Sequence, residues 1–239
     1  MSEYLTRQED IHYYRIYSPS YSLPQQTAAV HRFELADGVD PMQLAAYSSF
    51  MEGAAGVPGG GYSVTLPPFI NGNPQEDNKE AVPDAQKLGL LSVKYVVSEF
   101  PLDNSQLELL ARFGETRVYK NPFVYPRAWV QNPGAALGEN ITPAAGWSAE
   151  PNQIEVQASG PGLVVLSEIS YPGWEVSIDG VPGRVITAGG LLRGVQILEG
   201  EHQVIFSFRP RLFYLGVVLF GMAWVGIILA SLQWRKADG

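Results

Sequence analysis

Glu168, Glu175 and Asp179 form the densest group of carboxylates with apolar flanks in this chain. Paired carboxylates perform general acid and base work at a glycosidic bond, where the two groups stand ~5 to 9 Å apart. Glu175 and Asp179 are separated by an even number of positions, which puts both on one face of an extended strand. Two solvated side chains on a hairpin share that spacing, and Asp179 before Gly180 is explained by turn chemistry alone. No catalytic residue is assigned from this group.

Other chemistry has thinner support. His12, His31 and His202 are far apart and lack any HxH, HxxxH or HExxH partner, so no metal ligands are assigned. No GxSxG nucleophile elbow occurs. The glycines between Gly56 and Gly61 suggest a phosphate-cradling loop, yet no Lys followed by Ser or Thr closes the motif, and Tyr62-Ser63-Val64-Thr65-Leu66-Pro67-Pro68 follows instead of a helix. No cofactor is expected.

The remaining candidates bind rather than react. Tyr171, Trp174, Trp147 and Trp129 carry rings on which a sugar could stack, and Arg127 and Arg193 carry donors. Tyr171, Trp174, Arg127 and Arg193 are therefore the candidate ligand contacts, against the competing use of such aromatics as core or rim. Arg209 and Arg211 stand just before a long apolar run, where they would meet a phosphate headgroup or a lipid-linked phosphate, or simply anchor the interface.

That run, Leu212 to Leu232, contains no charge and is bounded by Arg211 and by Arg235 with Lys236. As a helix it would extend about 31 Å, the thickness of a hydrocarbon core of roughly 30 Å. It predicts a membrane span over 211–233 with a short tail at 234–239. Tyr214 and Trp234 suit the two headgroup belts. Gly216, Ala223, Gly226 and Ala230 form a small-residue face on which a neighbouring helix could pack. The partners implied are the lipid bilayer and neighbouring transmembrane helices.

Composition narrows the class further. A net charge of −8 argues against a phosphate-backbone partner, so no nucleic acid is expected. The absence of cysteine removes disulfides and thiol chemistry. The opening MSEYLTRQEDIHYYR has no apolar signal region, so nothing in it would export a domain by itself. Arginine and lysine lie on both sides of the span, and charge alone leaves the orientation open.

The elements needed to hold these residues follow in order. Residues 1–136 read as a mixed α/β unit. His12 to Tyr17 alternates like a strand, and a second run covers 28–35. Asp40-Pro41 opens a helix carrying Leu44, Tyr47, Phe50 and Met51, and Asp84 caps a short helix. Val93 to Ser98 reads as a buried strand. A hairpin closes at Gly114, and Pro126 to Val130 is extended. Residues 137–152, punctuated by Gly138 and Pro143, read as a linker. Residues 153–210 alternate over six strands, with turns at Gly160-Pro161-Gly162, Asp179-Gly180 and Glu199-Gly200, and predict a small antiparallel β-sandwich. The fold class is α+β with one C-terminal transmembrane helix.

Tyr171-Pro172-Gly173-Trp174, Asp179-Gly180, Leu191 to Val195, Gly200-Glu201-His202 and Phe206 to Pro210 before a span make a specific series. It resembles the C-terminal end of the YfhO-like bacterial membrane proteins. Segments GLLSVKYVV at Gly89, Val118 to Asn121, Pro126-Arg127-Ala128 and the opening YSPSYSLPQQ to DGVDP are similar to that family's extracytoplasmic region. The resemblance implies a multi-spanning, lipid-linked-sugar-dependent glycosyltransferase context, with a lipid-linked sugar or surface polymer as partner. It also implies that the soluble region faces outward from a bacterial cell membrane, with Trp234-Arg235-Lys236 inside. The family's catalytic acids are expected in earlier extracytoplasmic loops, so this stretch is expected to be a non-catalytic module rather than an enzyme by itself. The alternative is an independent single-span structural or binding subunit of a membrane complex.

Overall fold

The computed structural model describes residues 1–57, 64–69 and 71–237. Short elements open the chain: α1 (Ser2–Thr6), β1 (Arg15–Tyr17), α2 (Gln25–His31), β2 (Glu34–Leu35) and β3 (Gly38–Val39). They are followed by α3 (Ala45–Ala54), β4 (Thr65–Leu66), α4 (Pro74–Asp77), α5 (Ala85–Leu90), β5 (Val93–Ser98), β6 (Glu108–Phe113) and β7 (Thr116–Lys120). Five of the strands form a mixed sheet in the order β2-β1-β5-β7-β6. Strands β2, β1 and β5 run parallel, and β7 and β6 complete the sheet antiparallel.

Both faces of this sheet are covered, which explains the continuous apolar reading of β5. Ile16, Tyr95, Val97 and Val118 face Leu5, Leu23, Ala28 and Phe33, while Tyr17, Val96 and Tyr119 face the opposite way into a larger core. Asp84 caps α5 as its type demands, its Oδ1 accepting from the Lys87 backbone N–H at 3.0 Å. The β6–β7 hairpin turns at Gly114 with φ +63°.

Three expectations in this half shift. Only Arg15–Tyr17 of the 12–17 segment is strand. The run over 28–35 divides into the end of α2 and the two residues of β2, with Arg32 in a left-handed conformation between them. Helix α3 starts at Ala45 rather than Pro41, because Asp40 uses its Oδ1 on the Met42 N–H at 2.8 Å in a local turn. The glycine-rich loop falls largely at 58–63, outside the described residues.

The second half contains β8 (Ala128–Gln131), β9 (Ile141–Pro143), β10 (Gly146–Glu150), β11 (Gln153–Ile169), β12 (Trp174–Ile178), β13 (Val181–Gly183), β14 (Ile186–Ala188) and β15 (Leu192–Phe208). All eight belong to one antiparallel sheet, ordered β13-β12-β15-β11-β8-β9, with β10 added to β11 and β14 to β15. Within 137–152, Ile141–Pro143 and Gly146–Glu150 are therefore paired strands of the sheet rather than part of a linker, and β8 belongs here rather than with the first unit. Pro143 fits because β9 is an edge strand, where a missing N–H costs no ladder bond.

Strands β11 and β15 are 17 residues each and pair along almost their whole length. The presumed turns at Gly160-Pro161-Gly162 and Glu199-Gly200 lie opposite each other in this ribbon and mark a register shift, not a chain reversal. The two halves of the ribbon carry different neighbours. β10 and β12 flank one half, and β8 and β14 flank the other. Residues of both halves, including Val156, Val164, Leu166, Val204 and Phe206, share one core.

The two halves of the chain also share a core. Trp129, Val165 and Leu192 of the second sheet cluster with Met51, Leu88, Leu91 and Val96. Helix α6 (Arg211–Ala237) leaves the end of β15 through Pro210 and has 27 residues. It is long and apolar enough to span a membrane, and its stretch Arg211–Ile228 is entirely exposed.

Candidate functional site

Glu168 sits where β11 ends, with its side chain only 22% exposed. Its Oε1 accepts from Arg15 Nη2 at 2.8 Å and from Arg127 Nη2. Glu34 Oε2 bridges the same two cations, 2.8 Å from Arg127 Nη1 and 3.2 Å from Arg15 Nε. Arg15 Nη1 also donates to the backbone oxygens of Leu91 and Ser167 at 2.9 and 2.6 Å. Burial alone would raise the pKa of Glu168, but Arg15 and Arg127 outweigh it and hold the group below the ordinary glutamate value. The network joins the first sheet, through Arg15 and Glu34, to the second.

Arg193 lies further along, 2% exposed, with Nη2 donating to the Ile169 carbonyl at 2.9 Å. Its guanidinium carbon sits 3.6 Å from the ring centroid of Trp174, a close cation–π stack. Burial lowers its pKa to about 10, against the opposing pull of Glu168. Nε and Nη1 of Arg193 have no hydrogen-bond partner among the described residues. Tyr171 and Phe208 pack against Trp174, with ring centroids at 6.5 and 5.4 Å.

The structure thus brings Arg193, Trp174 and Tyr171 together and places Arg127 on the far side of Glu168. Arg127 is 3% exposed and lies 4.9 Å from the centroid of Trp147, so its donors face the protein rather than a surface ligand. Trp129 is fully buried, which corrects its reading as a ring for a ligand. The three carboxylates disperse: Glu175 accepts from Arg211 Nη2 at 2.6 Å, and Asp179 accepts from His202 at 2.7 Å while Glu168 faces the arginines. That His202 contact raises the imidazole pKa and lowers that of Asp179. No acid/base pair forms among the three.

Trp174 also borders two adjoining cavities at the end of the sheet nearest α6. The larger, about 540 Å³, is lined by Arg184, Arg209, Arg211, Glu175, Ser177 and Ser207 among others. Strand alternation explains this lining. Glu175 pairs with Ser207 and Ser177 with Ile205 on the outer face, while Val176 and Phe206 point into the core. The smaller cavity, about 350 Å³, lies between Pro172, Trp174, Pro210 and Leu212, at the start of α6.

Sequence reasoning found Trp174, Arg209 and Arg211 but gave Arg184 no role. Asp37 was also missed. It is 8% exposed beside a cavity of about 180 Å³, with Oδ1 accepting from the Ser18 N–H at 3.0 Å and Oδ2 without a hydrogen-bond partner among the described residues. Burial pushes its pKa up to about 8, against the pull of that N–H. An Asp-Gly pair reads first as a turn, which hides a buried carboxyl.

On α6, Gly216 and Gly226 have nothing within 4 Å of where a Cβ would stand. Ala230's side chain lies outside the described residues. Among the described residues no group of three or more His, Cys, Asp or Glu could hold a metal ion. Comparison of the chain with protein-family models, curated proteins and solved structures gives no match.

Proposed function

We propose that this chain is a membrane-anchored, non-catalytic extracytoplasmic module of a YfhO-like glycosyltransferase that glycosylates a cell-surface polymer or uses a lipid-linked sugar. The motif series from Tyr171 to Pro210 supports the family. One structural observation carries the anchored role: β15 passes through Pro210 directly into α6, whose apolar surface is bare. The junction of β15 and α6, which bears Arg209 and Arg211, is thereby held at headgroup level. The separate ion pairs of Glu168, Glu175 and Asp179 favour a binding or structural part over a catalytic one.

Purification of the tagged full chain in mild detergent tests this reading. A multi-spanning glycosyltransferase should accompany it, and the chain alone should transfer no sugar. Sugar transfer by the isolated chain would contradict the non-catalytic role.

The spacing of Gly216, Ala223, Gly226 and Ala230 along α6 supports a second reading, an independent single-span subunit that docks through this face. On that reading Gly216→Leu with Ala223→Leu abolishes co-purification with membrane partners other than a glycosyltransferase. A chain that runs alone and monomeric, unaffected by the double substitution, contradicts it.

A further inference from the structure

We infer that the outer face of β12, β13 and β15 forms a headgroup site for an anionic phospholipid of the bilayer that α6 crosses. This rests on the membrane-anchored reading of α6. Among the described residues no ion pair engages Arg184 or Arg209, although both are exposed and line the same cavity of about 540 Å³. Arg211 is answered by Glu175, so the lining carries an excess of two positive charges. Ser177 and Ser207 add hydroxyls from the same face. Guanidinium forks match the oxygens of a phosphate diester, and hydroxyls match a polar headgroup.

The neighbouring cavity gives the site its amphiphilic shape. It shares Trp174, Glu175, Arg209 and Arg211 with the first and opens between Pro172, Pro210 and Leu212, where the bare apolar surface of α6 begins. A lipid with its phosphate between Arg184 and Arg209 would pass its glycerol region over this apolar step and lay its chains along the helix. A soluble phosphate would use the basic half alone, which is why a bilayer lipid is the occupant assigned. Trp174 is fixed between the halves by Arg193 on one ring face and by Phe208. The lipid would hold the sheet at a set tilt over the membrane.

The test uses the full chain in nanodiscs of phosphatidylcholine mixed with an equal part of phosphatidylglycerol. Lipids retained on the protein after gentle extraction are measured by native mass spectrometry. The wild type should enrich phosphatidylglycerol, and each of Arg184→Gln and Arg209→Gln should reduce the enrichment about fivefold, or about 25-fold together. Unchanged melting of both variants separates this loss from misfolding. Retention of the two lipids in bulk proportion by the wild type, or undiminished enrichment in the double variant, overturns the site. So does displacement of the retained lipid by inorganic phosphate alone. Failure of the chain to enter nanodiscs overturns the span and the site together, whereas entry without enrichment overturns the site only.

Discussion

Oε1 of Glu168 stands 2.8 Å from Nη2 of Arg15, so a single carboxylate near the end of β11 holds the first strand of the chain. The same oxygen accepts from Arg127, which is almost fully buried. Glu168→Gln leaves both guanidiniums facing a neutral amide. Glu34 still bridges both cations, so the loss expected in thermal or denaturant unfolding is that of charge-assisted hydrogen bonds, about 2–3 kcal/mol, rather than that of an unpaired buried charge. The pH dependence has a defined sign. The folded-state pKa of Glu168 is depressed, so its stabilisation is complete above the unfolded value and is lost as pH falls through the folded one. The wild type should therefore lose more stability on acidification than the variant, and equal acid slopes would contradict the network.

Asp37 predicts the opposite trend. Its pKa rises from 3.8 unfolded to about 8 folded, so the folded chain keeps a proton that the unfolded chain releases. Stability should fall as pH rises from about 4 to 8 and level off above that. Asp37→Asn preserves the acceptor for the Ser18 N–H and removes this dependence. At pH 8 the variant should be more stable by about 1–3 kcal/mol, the cost of an uncompensated buried polar group. Melting curves across this range check it, and parallel profiles would refute the burial.

The bend in the long ribbon depends on Gly160. A Cβ there would stand 1.8 Å from the Leu198 carbonyl oxygen on the facing strand, a contact that only backbone movement relieves. Gly160→Ala should cost more than about 4 kcal/mol or prevent folding. Gly180, at φ +81° with open space around it, is the control: Gly180→Ala should cost about 1–2 kcal/mol for left-handed strain alone. Similar losses at both positions would show that close approach at Gly160 does not matter.

Local signals and pair relations differ in how far they can be read from one chain. The strand at Val93–Ser98, the Asp84 cap, the hairpin at Gly114 and the apolar helix from Arg211 are each set by neighbouring residues, and each stands where its pattern puts it. The joining of 153–159 and 162–169 into one strand was hidden, because glycine and proline signal a turn whether or not a second strand follows the bend. Pairing over long separations was hidden too. Nothing near Arg15 announces Glu168, and nothing near Arg193 announces that Trp174 will cover it. Arg184 gained meaning only when the fold set it on the lining of the same cavity as Arg209.

The most direct test of the membrane arrangement is protease accessibility in intact cells. Proteinase K added outside should digest the folded region, while an epitope placed after Lys236 stays protected until the membrane is permeabilised. Protection of residues before Pro210 in intact cells, with exposure of the C-terminal epitope, would contradict an outward-facing module held by α6.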